Sequence, residues 1–200
     1  MGVADLHPAN IRIIPDRIEA GTFLMAGALN GTIKVNNVIP DHLKRVTDKL
    51  TDAGCKLQID KNSISISSPR SIKSVDMTTA VYPGFPTDLQ AQWVALMSLS
   101  ESSSIVTDTV YHDRFSHIPE LSRLGANIKV DKNTAFIRGV TKLVGAPVMS
   151  TDIRASASLI IAALAASGKT EISRVYHIDR GYEKIEKKFL GLGAEMTREF

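Results

Sequence analysis

The chain has 200 residues, 24 Lys+Arg against 21 Asp+Glu, a formal net charge of +3 and 44% hydrophobic residues, a balance that fits a soluble globular protein with one sizeable core. So mild a charge, without basic runs interleaved with aromatics, argues against nucleic-acid binding, and the longest apolar stretch, 155–166, is interrupted by serines and too short to span a membrane. One cysteine, Cys55, excludes an internal disulfide framework and a multi-cysteine metal site, and the start MGVADLHPAN lacks the basic and apolar parts of a signal peptide, so a cytoplasmic location is expected.

The first predicted helix opens at Pro15-Asp16-Arg17-Ile18-Glu19-Ala20, where Asp16 can cap free amides and Glu19 stands where a reciprocal cap would need it. Its body, TFLMAGAL, is apolar on nearly every face, the pattern of a buried helix, and the strand TIKVNNV follows. Leu43, Val46 and Leu50 then recur at helical spacing up to Gly54, a left-handed C-terminal cap, before the strands KLQID and SISIS.

The same sentence is written twice more. Pro86-Thr87-Asp88-Leu89-Gln90-Ala91 opens the buried helix LQAQWVALMSL, with Trp93 as core filling and Gln90 as a second reciprocal cap. SIVTDTV is the next strand, Ile118, Leu121 and Leu124 mark an amphipathic helix ending at Gly125, and NIKV and TAFIRGV form a strand pair. Finally Ser150-Thr151-Asp152-Ile153-Arg154-Ala155 opens SASLIIAALAA, followed by the strand TEISRVY, a helix on Tyr182, Ile185 and Phe189 that ends at Gly193, and a last strand AEMTREF. The basic cluster 184–188 alternates with Glu183 and Glu186, a solvated helix face.

Each unit therefore reads strand, buried helix, strand, amphipathic helix, strand pair. The chain is expected to be one α/β domain over 1–200, with pseudo-repeats at about 11–75, 76–140 and 141–200, three helices packed inside and sheets outside. The third copy lacks a strand, so the chain looks cut. Helix starts attract anions, and a pseudo-threefold axis would bring Asp88, Arg154 and Arg180 to one rim. An aspartate there is more often only a cap.

The segments IPDRIEAGTF, YPGFPTDLQAQ, DRFSHIPELSRLGA, TDIRASASLIIA and YHIDRGYEKIEKK occur in this order. Together they resemble the C-terminal half of the UDP-N-acetylglucosamine enolpyruvyl transferases, from about Ile11 to the end. The resemblance implies an inside-out α/β barrel, one of two similar domains flanking a cleft. It implies transfer of enolpyruvyl from phosphoenolpyruvate to the 3-hydroxyl of UDP-N-acetylglucosamine for peptidoglycan, through a tetrahedral intermediate and without a cofactor. The N-terminal domain and a short N-terminal segment are expected as missing partners.

On the same basis Asp88 matches the aspartate proposed as general base toward the sugar hydroxyl, with Thr87 beside the nucleotide sugar and Val110 touching substrate through its backbone. Arg114, Arg154 and Arg180 match arginines aimed at phosphoenolpyruvate, whose carboxylate and phosphate suit two-pronged guanidinium donors. Arg17 and Glu19 are expected to be structural, Asp152 to cap or to orient Arg154, and His117 and His177 to be packed. Cys55 fills a small-residue slot and is expected to be inert. Two departures from the family pattern stand out: Tyr111-His112-Asp113 before Arg114 where relatives read Phe-Glu-Asn, which would alter how Val110 and Arg114 are presented, and Ser100-Glu101-Ser102-Ser103-Ser104 in place of a glycine turn, read as a surface loop. Two alternatives stand beside this reading: an enolpyruvyl transferase acting on another hydroxyl, and a naturally truncated, non-catalytic binding domain.

Overall fold

The computed structural model describes residues 2, 3 and 5–199. Three buried helices form its interior: α1 (Arg17–Asn30), α3 (Gln90–Met97) and α5 (Ile153–Ala165), which pack on one another. Every residue of α3 is buried, as are Ala20–Ala28 of α1 and Ala155–Ala162 of α5. Helices apolar all round have no polar face to offer water, so they can only close on each other. The approach is tight at Gly21, where a β-carbon would lie 2.4 Å from Leu89 Cδ1.

Some polar groups inside this bundle are paired across elements. Thr22 Oγ1 lies 2.8 Å from the Tyr182 hydroxyl, and Gln92 Nε2 donates to Thr22 Oγ1 at 3.2 Å. Burial pushes the Tyr182 phenol up to about 12, so it stays a neutral hydrogen-bonding group that ties α1 and α3 to the chain ahead of α6 (Ile185–Gly191).

Three sheets lie outside. The first, β1-β3-β2 (Thr32–Asn36, Ser63–Ser67, Lys56–Ile59), is antiparallel throughout. The second, β4-β5-β7-β6 (Met77–Thr78, Ser103–Thr107, Thr134–Arg138, Asn127–Asp131), is antiparallel except where β4 joins β5 in parallel. The third is, among the described residues, the parallel pair β8 (Pro147–Met149) and β9 (Glu171–Ser173). Around the amphipathic helices α2 (Lys44–Asp52), α4 (Ile118–Arg123) and α6, the predicted apolar residues are buried: Val46 and Leu50 with Leu43 just ahead of α2, Ile118 and Leu121 with Leu124 just after α4, and Ile185 and Phe189 with Tyr182 ahead of α6. Gly54, Gly125 and Gly193 close them at φ of +95°, +96° and +92°, a region glycine enters without penalty.

This is the predicted α/β arrangement of buried helices and outer sheets, with two corrections. No strand precedes α1 among the described residues; Ile11, Ile13 and Ile14 lie exposed where β8 stands relative to α5. Nor do residues 194–199 form a strand, and Phe200, the last of AEMTREF, lies outside the described residues. The segment Ser100–Ser104 is also more than a surface loop. Ser100 is buried, its hydroxyl bonded to Met97 O and to Ser74 Oγ, and Ser102 N donates to Ser74 Oγ.

Candidate active site at the N-termini of the buried helices

The three acidic helix starts do different work. Asp16 Oδ1 accepts from the Ile18 and Glu19 amides at 2.7 and 3.4 Å, and Asp152 Oδ1 from the Arg154 and Ala155 amides at 2.7 and 3.0 Å. Both are N-caps. Asp88 is not: it sits in the 3-10 turn Thr87–Leu89 that leads into α3, and its carboxylate turns away from the backbone. Asp88 Oδ1 receives Arg114 Nη1 at 2.8 Å and Arg154 through Nε at 2.6 Å and Nη2 at 2.5 Å. Oδ2 has no hydrogen bond among the described residues. Burial alone would raise this carboxyl, but the Arg154 and then the Arg114 guanidinium hold it below the usual carboxylate range.

Arg114 is the most enclosed member of the cluster, its side chain 16% exposed against 36% for Arg154 and 38% for Asp88. Its guanidinium lies 4.8 Å from the Tyr111 ring centre, so Tyr111 gives it an aromatic floor and leaves it on Asp88. His112 and Asp113 are exposed. Asp152 Oδ2 accepts from Ser116 Oγ at 3.2 Å, which ties the Arg114 loop to the start of α5. Val110 is 40% exposed, and its amide donates to Asp108 Oδ1 at 3.0 Å.

Arg180 is the expected residue that this cluster does not include. It ends the 3-10 stretch Val175–Arg180, is exposed, and makes no hydrogen bond or ion pair among the described residues. Its neighbour Gly181 packs beside Ile153, with a β-carbon position 3.5 Å from Ile153 Cγ2. Arg180 thus flanks the start of α5 without joining the Asp88 cluster.

The reciprocal caps do not form. Glu19 pairs with Lys188 instead, and both amide atoms of the buried Gln90 lack partners among the described residues. Arg17 lies over the Tyr82 ring at 4.9 Å, a stacking contact rather than a cap. Cys55 is buried and its thiol is pushed up to about 11 by desolvation, which keeps it protonated and inert.

His117 is packed, 2% exposed against Phe115. Burial pushes its imidazole down to about 4, against the Asp152 charge that favours protonation. An unfolded histidine binds its proton near pH 6.5, so between those values the unfolded state holds one proton more and stability falls as pH falls. Denaturant unfolding should show about 2 kcal/mol less stability at pH 5 than at pH 7, and His117→Asn should flatten that slope. An unchanged slope in the variant would assign it elsewhere.

One site residue escaped the reading of the sequence. Asp108 is fully buried and receives hydrogen bonds from Thr79, Thr87, Val110 and Tyr111. The available signal was strand alternation, since Ser104, Val106 and Asp108 share the inward face that begins in β5.

Buried helices thus lie inside the outer sheets, with the Asp88 carboxylate held by Arg114 and Arg154 near the starts of α3 and α5. Residues 1–189 match the family model described as EPSP synthase (3-phosphoshikimate 1-carboxyvinyltransferase). The chain belongs to this enolpyruvyl transferase family. It is 52% identical over 198 residues to the UDP-N-acetylglucosamine 1-carboxyvinyltransferase of Geotalea uraniireducens (strain Rf4), covering 98% of this chain and 48% of that protein. It is 53% identical over 199 residues to the protein of the same name from Pelodictyon phaeoclathratiforme (strain DSM 5477 / BU-1), covering 99% and 47%. The solved enolpyruvyl transferase NikO from Streptomyces tendae superposes with a TM-score of 0.84 at 27% identity, over 92% of this chain and 44% of that one. An EPSP synthase from Acinetobacter baumannii shares the fold, with a TM-score of 0.69 at 16% identity over the same 92% and 44%. The chain spans about half the length of the curated relatives it matches.

Proposed function

We propose that this chain forms the C-terminal half of a UDP-N-acetylglucosamine enolpyruvyl transferase of peptidoglycan synthesis, as one domain built of three pseudo-repeats. The observation that carries the reading is the Asp88–Arg114–Arg154 cluster, whose residues match the family motif. Asp88 Oδ1 is occupied by guanidinium protons, so Oδ2 is the oxygen that accepts the sugar 3-hydroxyl proton as the hydroxyl oxygen adds to the central carbon of phosphoenolpyruvate. The methylene carbon takes a proton from a group outside this chain. The tetrahedral adduct then loses a proton from that methyl carbon to a base, so that the carbon–carbon double bond re-forms as the carbon–oxygen bond to phosphate breaks and inorganic phosphate leaves. Arg114, Arg154 and Arg180 bind the carboxylate and phosphate of phosphoenolpyruvate, while Thr87 and the Val110 backbone meet the sugar nucleotide. The name shared by relatives at about half identity supports this acceptor.

Phosphate release tests the reading. Joined to the other half of its relatives' length, the sequence should turn over phosphoenolpyruvate with UDP-N-acetylglucosamine and not with 3-phosphoshikimate. Alone it should show little or no turnover, because groups from both sides of a cleft are needed. Robust turnover by the chain alone, or preference for 3-phosphoshikimate, would count against it.

A further inference from the structure

Asp108 joins the segments of this chain that carry Thr79, Thr87 and Val110. It follows β5, has no exposed surface, and uses both carboxylate oxygens. Oδ1 accepts from Thr79 Oγ1 at 2.7 Å and from the Val110 and Tyr111 amides at 3.0 and 2.8 Å. Oδ2 accepts from Thr87 Oγ1 at 2.6 Å. The Asp108 carbonyl is itself held by Asn133 Nδ2 at 3.0 Å, which anchors the residue to the turn before β7. Thr79 lies just past β4 and receives the Thr109 amide at 3.0 Å. One buried side chain therefore fixes the turn before α3 and the turn that leads to Arg114.

A hydroxyl has one proton to give. At Thr87 that proton goes to Asp108, so the oxygen has only lone pairs left to offer a ligand. Resting on the transferase reading above, we infer that Asp108 is a positioning residue that sets Thr87 as an acceptor toward the sugar nucleotide. The ligand group that meets Thr87 must then be a donor, a hydroxyl or an amide N–H. A donor facing a donor would leave both unsatisfied.

Asp108→Asn in the complete two-half protein tests this. Two of the three donors on Oδ1 are backbone amides that cannot reverse, so the asparagine oxygen keeps that side and its NH2 faces Thr87. The Thr87 proton is then released toward the ligand. KM for UDP-N-acetylglucosamine should rise at least about tenfold, with KM for phosphoenolpyruvate within about threefold. Thr87→Val should raise the same KM, and Asp108→Asn added to Thr87→Val should raise it no further. Multiplying effects, or an unchanged KM in Asp108→Asn, would overturn the inference while leaving the transferase reading intact. If Asp108→Asn does not fold, Thr87→Ser against Thr87→Val decides: serine keeps the bond to Asp108 and should keep KM, and equal KM values in the two variants would overturn the inference. An inactive wild-type protein would overturn the transferase reading and this inference together.

Discussion

Asp88→Ala in the complete protein is expected to lower kcat by about 10²–10⁴-fold, the span of a lost general base. Two effects add in the same direction. The oxygen that takes the hydroxyl proton is gone, and Arg114 and Arg154 lose the anion that both now share. Asp88→Asn separates these effects, because the amide keeps an oxygen for the guanidiniums and removes only the basicity. If Asn restores most of the activity, Asp88 serves to position the arginines rather than to accept a proton. The arginines hold the folded carboxyl below its ordinary range, so its contribution to stability is present above the unfolded carboxylate range and is lost only as pH falls through the lower folded value. The pH profile of kcat/KM should likewise keep its acid limb below the ordinary carboxylate range. Full activity in Asp88→Ala would sink the assignment.

The second large effect lies in the core. Trp93 is fully buried in α3 and meets the Phe85 ring edge-on at 5.6 Å between centres. Trp93→Ala removes the largest side chain of the three-helix interior and leaves a cavity between helices that cannot collapse toward one another. A cost of about 3–5 kcal/mol is expected, read as a fall in Tm on the order of 10 °C. Trp93→Phe should recover much of it. Phe85 begins the turn Phe85-Pro86-Thr87-Asp88, so the alanine variant should also loosen the Asp88 cluster and lower kcat. A loss of stability below about 1 kcal/mol would mean that the interior repacks.

The scaffold was legible because it obeys period. Leu43, Val46 and Leu50 fall on one helical face, the glycines after each such helix adopt left-handed backbone, and α1, α3 and α5 are apolar on all sides. What stayed hidden depends on where a side chain turns. Asp16, Asp88 and Asp152 sit at equivalent places in the sequence, yet two cap their helices and one leaves its helix for two arginines. No local pattern distinguishes these choices, since the partners of Asp88 lie 26 and 66 residues away. Gln90 has the spacing of a capping box, but burial removes it from the turn it would have capped. Asp108 hid in SIVTDTV because an aspartate near a strand end ordinarily faces water.

The uneven sheets have a consequence for time. Among the described residues the second sheet has four strands and the third the parallel pair β8-β9, too little to be independently stable. Local opening begins where the hydrogen-bonded support is thinnest. Amides of β8, β9 and the stretch Val175–Arg180 should therefore exchange with solvent ahead of those in β5 and β7. Asp88 holds Arg114 and Arg154 across the rim, while Arg180 ends a stretch expected to open ahead of the central strands. The fourth charge would then keep a different clock from the other three.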